Sequence, residues 1–209
     1  MYSFTPEQNK QLIEIYPYLQ PRNVWDDKIP EDYDYSFIRG QRELPDGWLR
    51  LFLLYCKAIR PILVDNNYLN DFRFSQVKEK YGTLRLYNFG YPQGMEDLEW
   101  LYSGYSEFVC QRCGKMAKVS TIGWIEQLCL DCHDPFEAEL PGNIIVKHRT
   151  IKIRHHGKDG DSIHVLSYKD VNKEYMKCMK MSDQEFFDYI TKEENYAPEN
   201  HRKASTQKS

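Results

Sequence analysis

Two Cys-x-x-Cys pairs, Cys110/Cys113 and Cys129/Cys132, constrain the fold of this chain more than any other feature. Two residues between paired cysteines allow a tight backbone knuckle to direct both sulfurs at one ion. Fifteen residues (114–128) separate the pairs, a spacing typical of structural zinc sites. Gly114 follows the first pair, where a knuckle often needs a positive φ. The sequence therefore predicts one structural Zn²⁺ bound by these four cysteines.

The predicted ion has no catalytic role. Four thiolates fill a tetrahedral coordination sphere, whereas a catalytic zinc keeps a position open for water or substrate. His133 directly follows Cys132, which makes it a poor replacement for a cysteine ligand, and we expect it to face solvent. The metal is therefore expected to stabilise the fold without doing chemistry.

Cysteine usage and hydropathy indicate the compartment. Paired Cys-x-x-Cys motifs in a reducing cytosol indicate a metal site rather than disulfides. Cys56 and Cys178 stand alone in helical patterns and are predicted to be buried fillers. The chain has no run of eighteen apolar residues and no secretory signal at its N-terminus. We expect a cytoplasmic protein without a membrane span.

Helices are predicted in five places, and one of them is a short helix that Asp134-Pro135 starts and Pro141-Gly142 ends. Thr5 and Ser182 each open a capping box that starts a helix. Apolar residues at helical spacing predict a buried helix over residues 47–63, which Pro61 ends or kinks. A further helix is expected over residues 94–108.

Two β-hairpins are predicted from alternating side chains. The first covers residues 71–91 around Gly82, and its alternation places Val77 on the face opposite Phe74. The second covers residues 143–168 around a turn at 158–161. The predicted fold class is α+β, with two β-hairpins and several helices around a four-cysteine module of the zinc-ribbon or treble-clef type.

These elements predict four parts of the chain. An N-terminal α+β part covers residues 1–108 and a zinc-binding module covers residues 109–142. A C-terminal hairpin and helix cover residues 143–195. The polar residues 196–209 are predicted to form a disordered tail.

The start of the second hairpin is basic, because residues 143–158 contain five cations and no acid. These candidate binding residues are Lys147, Arg149, Lys152, Arg154 and Lys158. They can contact a phosphate backbone or an acidic protein surface, or they can protect a strand edge from pairing. The formal net charge of -3 and the absence of aromatic residues between 137 and 167 argue against strong nucleic-acid binding.

Tyrosine is enriched at protein interfaces, and this chain has sixteen tyrosines. The tyrosine-rich N-terminal part is therefore a second candidate contact surface, although burial beside the core is the simpler explanation.

Catalytic motifs are absent from the sequence. It contains no phosphate loop, nucleophile elbow, HExxH helix or paired-carboxylate motif. The histidines of the second hairpin leave a small nuclease or hydrolase as the weakest alternative. We therefore predict a protein that is not an enzyme and has no small-molecule substrate.

The middle of the chain, roughly residues 45–135, resembles small bacteriophage and prophage proteins of unassigned role. In those proteins a VKEKFGGLRFY-like hairpin precedes the pattern CxxCG…GWxxxLCxxC, and here FRFSQVKEKYGTLRLYNFG precedes CQRCGK and GWIEQLCLDCH. The matching positions are Val77 to Lys80, Gly82, Leu84, Arg85, Tyr87, Gly114, Gly123, Trp124 and the four paired cysteines. The C-terminal hairpin and helix lie outside the match.

The resemblance implies a phage origin and carries no activity. Small acidic phage proteins without catalytic motifs often bind a host protein, so we expect an inhibitor of a bacterial anti-phage defence system that acts in the host cytoplasm. The main alternative is a nucleic-acid-binding zinc protein that uses the basic hairpin 143–158. An immunity or antitoxin protein, or a small nuclease, is a weaker alternative.

Overall fold

A computed structural model describes residues 4–23, 25–29, 31, 44–89, 92, 94–134, 141–157, 160–171 and 173–192, with backbone alone at 155–157, 160 and 161. Among these residues the fold combines five helices with seven strands paired into small antiparallel sheets. The helices are α1 (Pro6–Ile15), α2 (Leu49–Asp65), α3 (Met95–Ser106), α4 (Lys173–Cys178) and α5 (Asp183–Thr191). The strands are β1 (Phe74–Lys80), β2 (Thr83–Asn88), β3 (Val119–Ser120), β4 (Gln127–Leu128), β5 (Ile144–Ile145), β6 (Thr150–Gly157) and β7 (Gly160–Ser167).

Both predicted capping boxes are confirmed. At the start of α1, the backbone N–H of Gln8 donates to the Thr5 hydroxyl at 3.2 Å, and the Gln8 side chain accepts from the Thr5 N–H at 2.9 Å. Ser182 and Glu185 make the same reciprocal pair at the start of α5. Each pair satisfies two backbone donors that the first helical turn leaves without an intrahelical partner.

Helix α2 is the central helix of the core and has buried residues on most of its surface. Pro61 lies inside it, and the helix continues to Asp65, so of the two predicted effects of Pro61, an end or a kink, the end is wrong. Proline removes one helical hydrogen bond. The complete burial of Ile59 and Leu63 on either side of Pro61 holds the helix in place despite that loss.

The first predicted hairpin is confirmed as β1 and β2. Its turn residues Tyr81 and Gly82 both have positive φ, at 56° and 72°, as a type I′ turn requires. A register shift between Phe74 and Gln76 changes the predicted alternation. Val77 is therefore buried in the core, because a bulge reverses which side chains face inward.

The second hairpin begins later than predicted. Residues 144–145 form β5, which pairs with β3 in a three-stranded sheet of order β4-β3-β5. The next residues, Val146–His148, form a 3₁₀ turn, and the hairpin starts at Thr150. Its predicted turn residues 158 and 159, the short helix predicted after residue 134 and the predicted tail lie outside the described residues.

One hydrophobic cluster contains buried residues from all five helices and from both hairpins. Cys56 and Cys178 are fully buried in it, as predicted. Several tyrosines belong to the same cluster; the Tyr16 hydroxyl donates to the Ile190 carbonyl and the Tyr18 hydroxyl donates to the Cys56 carbonyl, each at 2.6 Å. Burial thus accounts for part of the tyrosine content, while the division into four parts remains a prediction.

None of the helices in the described residues combines the length and the apolar character that crossing a bilayer requires.

Candidate metal centre

The four paired cysteines converge on one point. The sulfur atoms of Cys110, Cys113, Cys129 and Cys132 all lie within 4.8 Å of one another, and the Cys113 and Cys129 sulfurs are 3.5 Å apart. A tetrahedral site with metal–sulfur bonds of about 2.3 Å places its sulfurs about 3.8 Å apart. The cluster is therefore compatible with one bound metal ion.

Backbone hydrogen bonds shape the first knuckle. The N–H of Cys110 donates to the Lys115 carbonyl at 2.7 Å, and the N–H of Gly114 donates to the Cys110 carbonyl at 3.0 Å. Gly114 has a φ of 77°, which confirms the reason for a glycine after the first pair. This turn directs Cys110 and Cys113 to the same side of the backbone.

The second knuckle has a similar geometry and is bonded to the first. The N–H groups of Cys132 and His133 both donate to the Cys129 carbonyl, at 3.2 and 3.0 Å. The Gln111 N–H donates to the Gln127 carbonyl at 2.9 Å, directly beside Cys110 and Cys129. The two pairs are thus held together by backbone contacts as well as by their sulfurs.

Two cations lie beside the cysteines at the surface. Lys115 pairs with Asp131 at 2.7 Å. Arg112 pairs with Glu126 at 3.1 Å and also donates to the Cys132 carbonyl at 3.1 Å. Each pair links residues of the first knuckle to residues at or near the second.

Three residues outside the cysteine motifs hold the first knuckle, and sequence analysis missed all three. The Gly47 N–H donates to the Gln111 carbonyl at 2.8 Å, and the buried Trp48 indole donates to the Val109 carbonyl at 2.9 Å. The Tyr175 hydroxyl of α4 donates to the Gly114 carbonyl at 2.6 Å. No local pattern marks these contacts, because they join residues about 60 positions apart in the chain.

Gly47 lies so close to the knuckle that only a glycine fits without rearrangement. A Cβ atom at this position would be 2.2 Å from the Cys110 carbonyl oxygen and 2.6 Å from the Gly114 nitrogen. Both atoms belong to the backbone and cannot rotate away.

His133 does not face solvent, so that prediction is wrong. Its side chain is only 4 % exposed, and its Nδ1 lies 2.7 Å from the Asp134 carbonyl oxygen. The backbone turn of the second knuckle directs this side chain inward.

The protonation of the cysteines depends on their mutual contacts. Burial raises the pKa of the Cys113 and Cys132 thiols. Burial also raises the pKa of Cys129, but hydrogen bonds, led by the one from Cys113, outweigh this effect and lower its pKa overall. A metal that binds this cluster must therefore displace the protons that its thiols hold.

The structure separates the five predicted basic residues. Lys147 lies in the 3₁₀ turn before the hairpin, and Lys158 lies outside the described residues. Arg149 forms an ion pair at 2.8 Å with Glu107, which directly follows α3, and the acid-free sequence around Arg149 did not predict this pair. Only Lys152 and Arg154 are placed together, both exposed, at alternate positions of β6.

No family model, no curated protein and no solved structure matches this chain. The resemblance to small phage proteins therefore remains an expectation from the sequence motifs.

Proposed function

We propose that this protein binds an acidic protein surface, without catalysis, through a fold stabilised by one Zn²⁺. The proposed binding surface is the outer face of the β6–β7 hairpin, which consists of Lys152, Arg154, Ile163 and Val165. Lys152 lies opposite Val165 and Arg154 lies opposite Ile163 in the strand register. This pairing of exposed cations with exposed aliphatic side chains is the observation that carries the proposal.

The two faces of the hairpin have different surroundings. On the inner face, Ile153 and Leu166 are buried and approach Gly104 of α3. On the outer face, Ile163 and Val165 are 57 % and 54 % exposed. These two neighbouring β-branched residues give the outer face an apolar area that a partner protein can bury.

The charge of the outer face favours an acidic partner. Lys152 and Arg154 have no ion pair within the described part of the chain, whereas Arg149 is neutralised by Glu107. Exposed aliphatic side chains between cations can be buried by a protein surface but gain little from a phosphate backbone. The outer face therefore fits a protein better than a nucleic acid.

Zinc is the metal that the ligand set favours. Four thiolates around one point suit tetrahedral Zn²⁺, and a complete set of four protein ligands is typical of structural zinc. The geometry of Cys110, Cys113, Cys129 and Cys132 supports such a site. The same closed set gives no position for a substrate, so binding is proposed in place of turnover.

A phage origin and a host defence protein as the partner are also part of this proposal. The order of the hairpin motif and the cysteine pairs supports the origin, and the acidic composition without catalytic motifs supports the partner.

The test is a quantitative pull-down from bacterial lysate with three double variants. Lys152→Glu/Arg154→Glu and Ile163→Ser/Val165→Ser change the outer face, while Lys173→Glu/Lys180→Glu makes the same charge change at exposed positions elsewhere. We expect wild type and the control to recover one protein in stoichiometric yield, and both outer-face variants to lose it.

An empty pull-down with wild type would contradict the proposal. A DNA or RNA gel shift at low salt that is lost in Lys152→Glu/Arg154→Glu and kept in Ile163→Ser/Val165→Ser would favour the nucleic-acid alternative.

A further inference from the structure

A cleft of about 420 Å³ lies between the two hairpins, with α3 as its floor. Arg85 of β2 lines one wall, and the edge of β6 over residues 151–154 lines the other, including the two outer-face cations Lys152 and Arg154. Trp100 of α3 and Glu107, the residue directly after α3, line it from below. We propose that this cleft binds a nucleotide, with the cations holding its phosphates and the Trp100 indole stacking on its base.

The cleft concentrates positive charge in a chain whose formal net charge is -3. Glu107 is the one acid among the described lining residues; it is paired with Arg149 at 2.8 Å, and the Arg85 charge also favours its ionised form. With three cations, Arg85, Lys152 and Arg154, against one acid, the lining of the cleft is cationic. A cleft lined by one sign of charge attracts ligands of the opposite sign, and arginine binds phosphate through two parallel N–H groups.

Trp100 distinguishes a nucleotide site from a general anion site. Its side chain is 48 % exposed, and it follows the helical spacing 100, 103, 104, 107 that forms the floor of the cleft. A half-exposed indole beside cations offers a ring face for a base while the cations contact phosphate. Neither an inorganic anion nor an acidic peptide needs such a ring.

The wall formed by β2 is fixed to α3. The Ser103 hydroxyl donates to the Leu84 carbonyl at 2.6 Å, and the Leu84 N–H donates to the Ser106 hydroxyl at 2.8 Å. These bonds give the backbone groups of Leu84, at the edge of β2, partners on α3, and they fix the strand that carries Arg85 to the helix that carries Trp100.

The wall formed by β6 is fixed to the same helix. A Cβ atom at Gly104 would lie 2.8 Å from a Leu166 methyl group and 3.0 Å from an Ile153 methyl group, so the hairpin packs closely on the helix backbone. The Arg149–Glu107 ion pair adds a second attachment. Both walls are therefore held in place without a ligand, which lowers the entropic cost of binding.

This inference is independent of the proposed protein binding. Arg85 and Trp100 belong to the cleft, Ile163 and Val165 belong to the outer face, and only Lys152 and Arg154 contribute to both. Variants of the first pair therefore test the nucleotide site, and variants of the second pair test the protein surface.

The experiment is calorimetric titration of the full-length, metal-loaded protein with ATP, GTP, CTP, UTP, AMP and inorganic pyrophosphate. We expect at least one nucleotide to bind at a one-to-one ratio, with an affinity that falls as salt rises. Arg85→Ala should weaken both nucleotide and pyrophosphate binding by about tenfold. Trp100→Ala should weaken nucleotide binding by about tenfold and leave pyrophosphate binding unchanged.

The matched controls are Trp124→Ala, at an exposed tryptophan outside the cleft, and Ile163→Ser/Val165→Ser. Both should bind nucleotides as tightly as wild type. Lys152→Ala, at an exposed strand position, replaces Arg85→Ala if that variant does not fold. The proposal is overturned if no nucleotide in the panel binds, or if Trp100→Ala binds nucleotides as tightly as wild type. It is also overturned if a hepta-glutamate peptide binds the cleft as tightly as the best nucleotide, which would indicate an acidic peptide partner.

Discussion

At the scale of single residues, the metal centre depends on positions that bind no metal. Gly47 contacts the backbone of Cys110 and Gly114, and Tyr175 donates to the Gly114 carbonyl. The knuckle geometry is local to the cysteine motif, whereas its place in the molecule is set by these contacts from α4 and from the turn before α2. A substitution at Gly47 or Tyr175 is therefore expected to disturb the knuckle although neither residue contacts a cysteine sulfur.

Gly47→Ala is expected to destabilise the protein by about 3 kcal/mol, because the new methyl group overlaps backbone atoms that cannot move aside. The measurement is the free energy of unfolding in urea. Gly123→Ala is the control, since Gly123 has a positive φ of 75° and nothing within 4 Å of an added Cβ, so backbone strain alone should cost about 1 kcal/mol. Equal losses of unfolding free energy in the two variants would contradict the close contact between Gly47 and the knuckle backbone.

At the scale of elements, one arginine joins three helices. The Arg50 guanidinium of α2 donates to the Cys178 carbonyl at the end of α4 and to the Met181 carbonyl at 2.8 Å. It also pairs with Asp183 in the first turn of α5 at 3.1 Å and lies over the Phe186 ring. The planar guanidinium of the largely buried Arg50 side chain therefore holds the connection between α4 and α5 in place.

Arg50→Lys is expected to lower the free energy of unfolding by about 2 kcal/mol, because lysine keeps the charge but cannot reach both carbonyls at once. Urea denaturation monitors the change. Arg154→Lys makes the same substitution at an exposed strand position and should change stability by less than about 0.5 kcal/mol. Unchanged stability of Arg50→Lys would mean that charge alone, without the fork, holds α4 and α5.

Helix α3 contains a carboxyl group with an unusual pKa. Burial, with repulsion from Glu96, raises the pKa of Glu99 to about 7, against a hydrogen bond with Asn88. Because the folded state favours the protonated acid, stability from this group is present below about pH 4.5 and is lost as the pH rises to about 7.

Glu99→Gln is therefore expected to be more stable than wild type at pH 8, with a smaller difference at pH 5.5. Urea unfolding of both proteins at each pH measures this difference. Titration of the cysteines contributes equally to the free energy of unfolding of both proteins, so it does not affect the comparison. A difference that is the same at both pH values would be inconsistent with the raised pKa, as would an NMR titration of the Glu99 carboxyl near its ordinary value.

At the scale of the whole molecule, the metal centre and the hydrophobic core support each other. The core cluster includes residues from α1 to α5, and Trp48 and Tyr175 belong to it while bonding to the first knuckle. Loss of the metal should therefore destabilise the core well outside residues 109–142.

Removal of the proposed zinc with a strong chelator is expected to lower Tm by about 10 °C in one cooperative transition, corresponding to about 3 kcal/mol for a chain of this size. Cys113→Ser should have the same effect and should lose the one zinc per chain that we expect elemental analysis to find in the wild type. Cys178→Ala, which removes a buried thiol outside the cluster, should keep one zinc per chain. A Cys113→Ser variant with wild-type Tm would rule out a structural role for the metal.

Much of the local structure follows from short stretches of sequence. Thr5 and Ser182 start helices through partners three residues away, and Tyr81-Gly82 forms a hairpin turn with strands on either side. The spacing of the cysteines identified the cluster for the same reason, since each knuckle is a turn of four residues. These features depend on residues that are neighbours in the chain, so the sequence alone was sufficient to predict them.

The contacts that join these parts were decided only in the tertiary structure. β5 pairs with β3 and is not part of the second hairpin. Arg149 forms an ion pair with Glu107, directly after α3, and Gly47 packs against the backbone of Cys110. Each contact joins residues more than twenty positions apart, brought together by the packing of a shared core that no local periodicity encodes. Short stretches of sequence were enough to predict the helix starts, the first hairpin and the four clustered cysteines. The cationic cleft and the outer face arose only when α3 placed the two hairpins side by side.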